Sequence, residues 1–258
     1  MKAVAMVSGG RGSWASARRA VERWGASEVV ALFADTLVED DSTYTFLREG
    51  IAYLGCELVE VSDGRTPFEV FRDDRFLGNS RLANCSKYLK QKPCREWVES
   101  NAPEDATIVV GIDFSEAHRI GPIEKGWAPR EVWAPLCERP YLSTDEIMAS
   151  IKDAGLTPPS AYADGLPHAN CLEQGCVRGG QAYWHALLRT RPHSYAYAER
   201  EEQKLREHLD ADVGILKDRS GGEATPLTLR DFRGRLEDRP SLFDEFEWGG
   251  CGCFVEGE

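Results

Sequence analysis

The sequence predicts an α/β fold, a parallel sheet with helices on both faces, joined to a mostly helical, cysteine-bearing C-terminal part. Three observations predict it. Short apolar runs at residues 3–7, 28–33 and 57–61 alternate with segments of helical spacing, a glycine-rich turn follows the first run directly, and a fourth run at 107–112 ends in Asp113. Strands that alternate with helices form βαβ units, and right-handed crossovers place the loops after the strands along one sheet edge, where open α/β sheets bind ligands.

Each element has its own signal. The first spacer sets Trp14, Ala17, Val21 and Trp24 on one helical face, and the second does the same with Phe46, Leu47, Ile51 and Leu54. A helix over 86–100 precedes the fourth strand. Residues 114–142, rich in Pro, Gly and Trp, read as irregular. Ser143 with Glu146 forms a capping box that opens a helix running toward Ala154, and Pro158-Pro159 closes that stretch. Helices are expected over 177–190 and 195–209, and a short one begins at Thr228, with Asp231 three positions on. The expected division is a nucleotide-binding α/β domain over residues 1–140 and a helical region over 141–258 packed on it.

Composition narrows the chemistry. The chain of 258 residues carries 31 Lys and Arg against 43 Asp and Glu, a net charge of −12, so long-range attraction to nucleic acid or an anionic membrane is not its default. The opening apolar run is too short for a signal h-region, and no stretch approaches a bilayer span, which predicts a cytoplasmic protein. Eight cysteines without an export signal point to buried, metal-binding or sulfur-handling thiols rather than a disulfide scaffold.

The turn Ser8-Gly9-Gly10-Arg11-Gly12-Ser13 lies between the first strand and first helix, where unpaired amides and the helix dipole favour an anion. It is not a Walker A loop, because no Gly-Lys-Ser/Thr follows. Gly10, Gly12 and Ala15 also satisfy the dinucleotide fingerprint, with Asp35 placed to hold a ribose hydroxyl, so a nicotinamide-dependent oxidoreductase stands as a second reading.

The same six residues resemble the PP-loop, SGG-x-x-S, of adenine nucleotide alpha hydrolases. Phe33-Ala34-Asp35-Thr36 with Glu39 resembles that superfamily's F-x-D/N-T-G stretch. Asn84-Cys85 through Lys90 and Pro93 with Trp97, Gly111-Ile112-Asp113 with Glu116 and Arg119, and Asn170-Cys171 through Cys176 and Arg178 resemble blocks of its PAPS reductase-like branch. The resemblance spans residues 4 to 185. It implies ATP cleavage between the alpha and beta phosphates: Ser8, Gly9, Gly10, Arg11, Gly12 and Ser13 would hold the phosphates, Asp35, Thr36 and Gly111 would lie near the nucleotide, and Mg2+ would neutralise charge at the alpha phosphorus. Two positions depart from the pattern, Gly12 where many such loops have Asp and Leu37 where Gly is usual.

Cys171 with Cys176, and Cys251 with Cys253, are close thiol pairs, and soft thiolates select zinc or iron–sulfur centres. The resemblance of the Cys85 block to that of iron–sulfur sulfonucleotide reductases leads to an expected 4Fe-4S cluster on Cys85, Cys171, Cys176 and Cys253, with structural zinc as the alternative. Cys251 would then be the thiol that carries sulfur. Such reductases end in a catalytic Glu-Cys-Gly-Leu-His tail, whereas this chain ends around Cys251-Gly252-Cys253-Phe254. That departure favours an ATP pyrophosphatase that adenylates a target for sulfur insertion, as in DNA phosphorothioation, over a PAPS or APS reductase. Expected partners are a sulfur donor such as a cysteine desulfurase and a DNA or tRNA acceptor.

Arg72, Arg75, Arg81, Lys87, Lys90, Lys92 and Arg95 form a local basic run that fits phosphate contacts or a solvated helix face equally. Cys56 and Cys137 read as core residues, and Cys94 is ambiguous. The five histidines show no zinc-protease spacing; His168, just before Asn170-Cys171, reads as a satisfied loop histidine. Arg178 and Gln181 fit either substrate contact or helix solvation. Trp127, Trp133, Trp184 and Trp248 read as packing residues.

Overall fold

The computed structural model describes residues 1–238. Strands β1 (Ala3–Val7), β2 (Val29–Asp35), β3 (Glu57–Ser62), β4 (Thr107–Val109) and β5 (Val132–Trp133) form one sheet in the order β3-β2-β1-β4-β5. All its pairings are parallel, with Ala3 opposite both Val29 and Thr107. The predicted fold class therefore holds.

Alternation of side chains across β1 shows how the two faces are covered. Ala3, Ala5 and Val7 join a core built with Trp14 and Ala17 of α1 (Arg11–Trp24), Phe46 and Ile51 of α2 (Asp41–Leu54) and Ile147 of α6 (Thr144–Asp153). Val4 and Met6 point the other way, toward Cys94 and Val98 of α4 (Lys92–Asn101) and Ile123 and Trp127 of α5 (Ile120–Trp127). The helical faces expected for α1 and α2 are the buried ones. The capping box of α6 forms as expected, with Ser143 Oγ accepting from the Glu146 amide at 3.2 Å.

A third core gathers the rest. Phe68 and Phe71 of α3 (Pro67–Asp73) pack with Tyr183 and Trp184 of α7 (Gln181–Thr190), Tyr195 of α8 (Pro192–Leu209), and Leu229 and Phe232 of α9 (Leu229–Asp238). A small antiparallel hairpin, β6 (Leu216–Asp218) with β7 (Thr225–Leu227), closes one side. Glu202 of α8 sits beneath it, accepting from the amides of Ile215 at 2.8 Å and Leu229 at 2.7 Å. Burial raises its carboxyl to about 7.

Several expected bounds change. Residues 114–142 are not irregular throughout: they contain a 3-10 segment, Phe114–Arg119, then α5 and the edge strand β5. Pro122 lies in the first turn of α5, where a missing N–H costs nothing. The helix expected over 86–100 begins as a π-turn, Ser86–Gln91, before α4 proper. This wide turn tucks Leu89 and Lys90 inward.

The helical part is clamped over the strand ends by one arginine. Arg191 donates to Asp40 at 2.7 Å, to Asp164 at 2.8 Å and to Ser160 Oγ at 2.6 Å. Asp40 is itself the N-cap of α2, accepting from the Ser42 amide at 3.0 Å, and Ser42 Oγ lies 2.8 Å from Ser160 Oγ. Among the described residues, no helix is long and apolar enough to cross a membrane.

Candidate functional site

Backbone conformation builds the turn after β1. Gly9 holds a left-handed φ of +69°, and a Cβ there would sit 2.5 Å from Thr43 Cγ2 of α2, so only glycine fits. Gly10 caps α1 without a side-chain hydrogen bond, and the first turn carries no acid, which leaves the N-terminus electropositive. Ser13 Oγ accepts from the Ser8 amide at 3.1 Å and donates to the Gly10 carbonyl at 2.9 Å, fixing the curl of the turn. Just past β4, Gly111 presses on it from the side. A Cβ at Gly111 would lie 2.8 Å from Ser13 Cα.

Ser8, Gly10, Arg11, Gly12, Ser13 and Gly111 line one cavity of about 180 Å³. Asp113, Glu116 and Arg119 form its far rim, with Arg119 paired to Glu116, and Leu136 and Ile147 supply an apolar wall. Segment 162–170 roofs it. Tyr162 Oη accepts the Arg11 amide at 3.0 Å, and the Arg11 guanidinium lies over the Tyr162 ring at 4.3 Å. His168 stacks on Tyr183, with centroids 5.2 Å apart and an interplanar angle of 16°. Its Nδ1 is shut from solvent and has no hydrogen-bond partner, so the histidine expected to be satisfied is not satisfied at that atom. Burial first, then the nearby Lys90 and Arg11 charges, pull its imidazole down to about 4, so it is neutral at pH 7.

Asp35 and Thr36 lie outside this cavity's lining. The Asp35 carboxylate accepts from the Leu37 amide at 2.8 Å and Tyr44 Oη at 2.6 Å, and Thr36 faces the cysteines instead. Ala15, the third residue of the dinucleotide fingerprint, is buried in the core. Leu37 holds a φ of +64°, the conformation glycine favours, while its side chain is about half exposed. Leu37 thus sits in a backbone conformation that glycine adopts without steric cost.

Cys85, Cys171 and Cys176 line a second, smaller cleft of about 20 Å³, together with Thr36, Lys90 and Arg178. Three of the four expected ligands thus line one cleft, Cys85 joining the Cys171–Cys176 pair from far away in the sequence. Cys253 and Cys251 lie outside the described residues, as does Trp248. Among the described residues, no group of three or more His, Cys, Asp or Glu side chains has the arrangement of a metal site. Cys171 is buried with a left-handed φ of +55°. Its thiol is pushed well above the usual range by burial and by Glu39 beside it. The Glu39 carboxylate accepts the Cys171 amide and Thr36 Oγ1, the latter at 3.0 Å, and pairs with Lys90 at 3.7 Å. Both members of that ion pair are buried. Asn170 lines both the cleft and the loop cavity.

The basic run does not form one face. Lys90 points into the thiol cleft; Arg72 pairs with Glu201 at 3.2 Å, Lys92 with Glu96 at 3.9 Å, and Arg95 donates to the Gly126 carbonyl at 2.8 Å over the Trp127 ring. Gln181 donates to the Lys217 carbonyl at 2.9 Å, a packing role. Cys56 and Cys94 are buried, the latter raised to about 12 by burial, and Cys137 donates to the Ile112 carbonyl at 3.4 Å. Sequence reasoning missed Tyr162: nothing local marks a hydroxyl 151 positions from its partner. It also left Glu39 and Lys90 as separate motif members, although their opposite charges were the available signal.

No family model matches the chain, and no curated protein matches it. Among solved structures it is similar to phosphoadenylyl-sulfate (PAPS) reductase from Candida auris, a phosphate complex, at 13% identity over 64% of this chain and 79% of that chain, with a TM-score of 0.46. At that score the likeness decides nothing about chemistry. The fold class stands on the strand order and register themselves.

Proposed function

We propose that the protein is an ATP pyrophosphatase that adenylates an acceptor for sulfur transfer. One observation carries this reading: the anion-favouring turn at the start of α1 opens into a cavity that shares Asn170 with a cleft lined by three thiols. A nucleotide activator and a sulfur carrier belong side by side in such a reaction.

The turn amides with Ser8 and Ser13 would hold the beta and gamma phosphates and favour the negative charge that gathers on departing pyrophosphate. Arg11 and Arg119 add positive charge on the same cavity. An acceptor oxygen attacks the alpha phosphorus, the bond to the beta phosphate breaks, and AMP becomes the leaving group for incoming sulfur. The carboxylates of Asp113 and Glu116 suit Mg2+, which takes one or two protein carboxylates with phosphate oxygens and would act as a Lewis acid at the alpha phosphorus.

The donor set of Cys85, Cys171 and Cys176 fits a thiolate-bound centre by its chemistry, a 4Fe-4S cluster or zinc, with Cys253 or Cys251 as the proposed fourth ligand. A cavity of about 20 Å³ is the space of one or two waters, so a single ion enters it as it stands while a cluster requires its walls to part. Such a centre would supply redox or sulfide-binding chemistry beside the nucleotide. The acceptor we propose is a polynucleotide, as in DNA phosphorothioation, with a cysteine desulfurase or similar enzyme as sulfur donor. Asp35, turned to Leu37 and Tyr44, does not support the nicotinamide reading.

The test is incubation of anaerobically purified protein with ATP and Mg2+, followed by separation of the nucleotides. AMP with pyrophosphate supports the proposal. ADP with phosphate, NADH binding without ATP cleavage, or sulfite release from PAPS refutes it. Brown absorbance with iron would favour the cluster, and zinc in a colourless protein the structural ion.

A further inference from the structure

We propose that Tyr162 is an internal competitor for the phosphate site. Its hydroxyl holds the first amide of α1 in the empty cavity, yields it to a phosphate oxygen on binding, and takes it back as pyrophosphate leaves. The inference rests on the reading of that cavity as a phosphate site and adds an exchange which that reading does not require.

Three observations carry it. Arg11 opens α1, so its amide is one of the donors that the turn offers to a phosphate, and Tyr162 Oη already accepts from it at 3.0 Å. A Cβ placed on Gly10 would lie 3.1 Å from that same oxygen. The hydroxyl therefore rests against the turn itself, where a phosphate oxygen on the Arg11 amide would rest, and one N–H aligned on one acceptor makes the two oxygens alternatives. The backbone around Tyr162 is held: Ala161 is fully buried, and Arg191 donates to Ser160 Oγ at 2.6 Å and to Asp164 at 2.8 Å on either side. Exchange is then a rotation of one side chain, with the roof left in place. The Arg11 guanidinium lies over the Tyr162 ring at 4.3 Å, so the cation that draws an anion into the cavity brings it to the contested amide. A phenol oxygen is a neutral acceptor, whereas a phosphate oxygen is charged and makes a hydrogen bond about twice as strong. Phosphate thus wins the amide, at the cost of the bond that Tyr162 gives up, and the returning hydroxyl favours release of the product.

The test compares the full-length wild type with Tyr162→Phe by calorimetry, using inorganic pyrophosphate and adenosine as probes in Mg2+ buffer. Phenylalanine keeps the ring under the Arg11 guanidinium and removes only the oxygen. Tyr162→Phe is expected to bind pyrophosphate about fivefold tighter, the worth of one net hydrogen bond that wild type must break, with adenosine unchanged. A tyrosine that only braces the roof would leave pyrophosphate affinity unchanged, and one that donates to the ligand would make the variant bind more weakly. Either result, or equal tightening of adenosine, would overturn the proposal while leaving the phosphate site intact. A second measurement needs no substitution: in wild-type crystals soaked with pyrophosphate, a phosphate oxygen is expected on the Arg11 amide with Tyr162 Oη beyond hydrogen-bonding distance. Oη still on that amide beside bound pyrophosphate would likewise overturn it. Failure of wild type and Tyr162→Phe alike to bind pyrophosphate would overturn both readings.

Discussion

The loop cavity and the thiol cleft meet at Asn170 and are made of opposite materials. The cavity is shaped by backbone: two glycines that no other residue can replace, a helix N-terminus, and a serine that stitches the turn. It spans about 180 Å³. The cleft spans about 20 Å³ and is shaped by side chains, a buried Glu39–Lys90 pair, Thr36 and three thiols, one of them on a strained left-handed residue. A backbone site tolerates an exchangeable anion because its donors are fixed before the ligand arrives. A cleft held by buried charge resists emptying, because any missing partner leaves an uncompensated ion.

That contrast breaks if the two regions respond alike to substitution. Gly111→Ala should hurt activity far more than stability: its Cβ would strike the Ser13 backbone, and AMP formation should fall about 100-fold, near 3 kcal/mol in the barrier, read by initial rates. Lys90→Met should do the reverse, lowering unfolding stability by about 3 kcal/mol in urea titration, because Glu39 is left charged and buried. Glu39→Gln added to it should restore part of that loss, and strict additivity of the two would contradict the pairing.

The helical part beneath the cleft offers a third comparison. Glu202 holds its proton to about 7 in the folded chain against an ordinary 4.5, so between those values the unfolded chain releases the proton first and stability falls as pH rises. The full swing is about 3 kcal/mol. Glu202→Gln should flatten that slope, and an unchanged slope would place the titration elsewhere. The smallest effect belongs to Leu37: Leu37→Gly should stabilise by about 1 kcal/mol, seen as a higher Tm, since its φ of +64° suits glycine. A lower Tm would mean that the half-exposed leucine side chain contributes more than the strain costs.

What the sequence revealed follows the same division. The β1-α1-β2-α2-β3 order was legible because each strand is a continuous apolar run and each helix keeps an apolar face on the core. The glycine turn was legible because its chemistry is local. β5 was not, since two residues between prolines carry no period, and its place depends on β4 already being there. Cys85, Cys171 and Cys176 were legible as a set only through resemblance; spacing alone permits several groupings. Lys90 read as part of a basic run and is buried, because the π-turn that rotates it inward leaves no mark in composition. Tyr162 over Arg11, and the unsatisfied Nδ1 of His168, arise from tertiary placement that no local window contains.

The central claim is that the turn joining β1 to α1 grips the phosphates of ATP, and a crystal soaked with α,β-methylene-ATP and Mg2+ tests it most directly. The account predicts the beta and gamma phosphates within hydrogen-bonding distance of the turn amides and the Ser8 and Ser13 hydroxyls, with the alpha phosphorus on the side that faces Asn170. An empty turn in fully exchanged crystals, or the diphosphate bridge of a nicotinamide dinucleotide lying across it, would contradict the account.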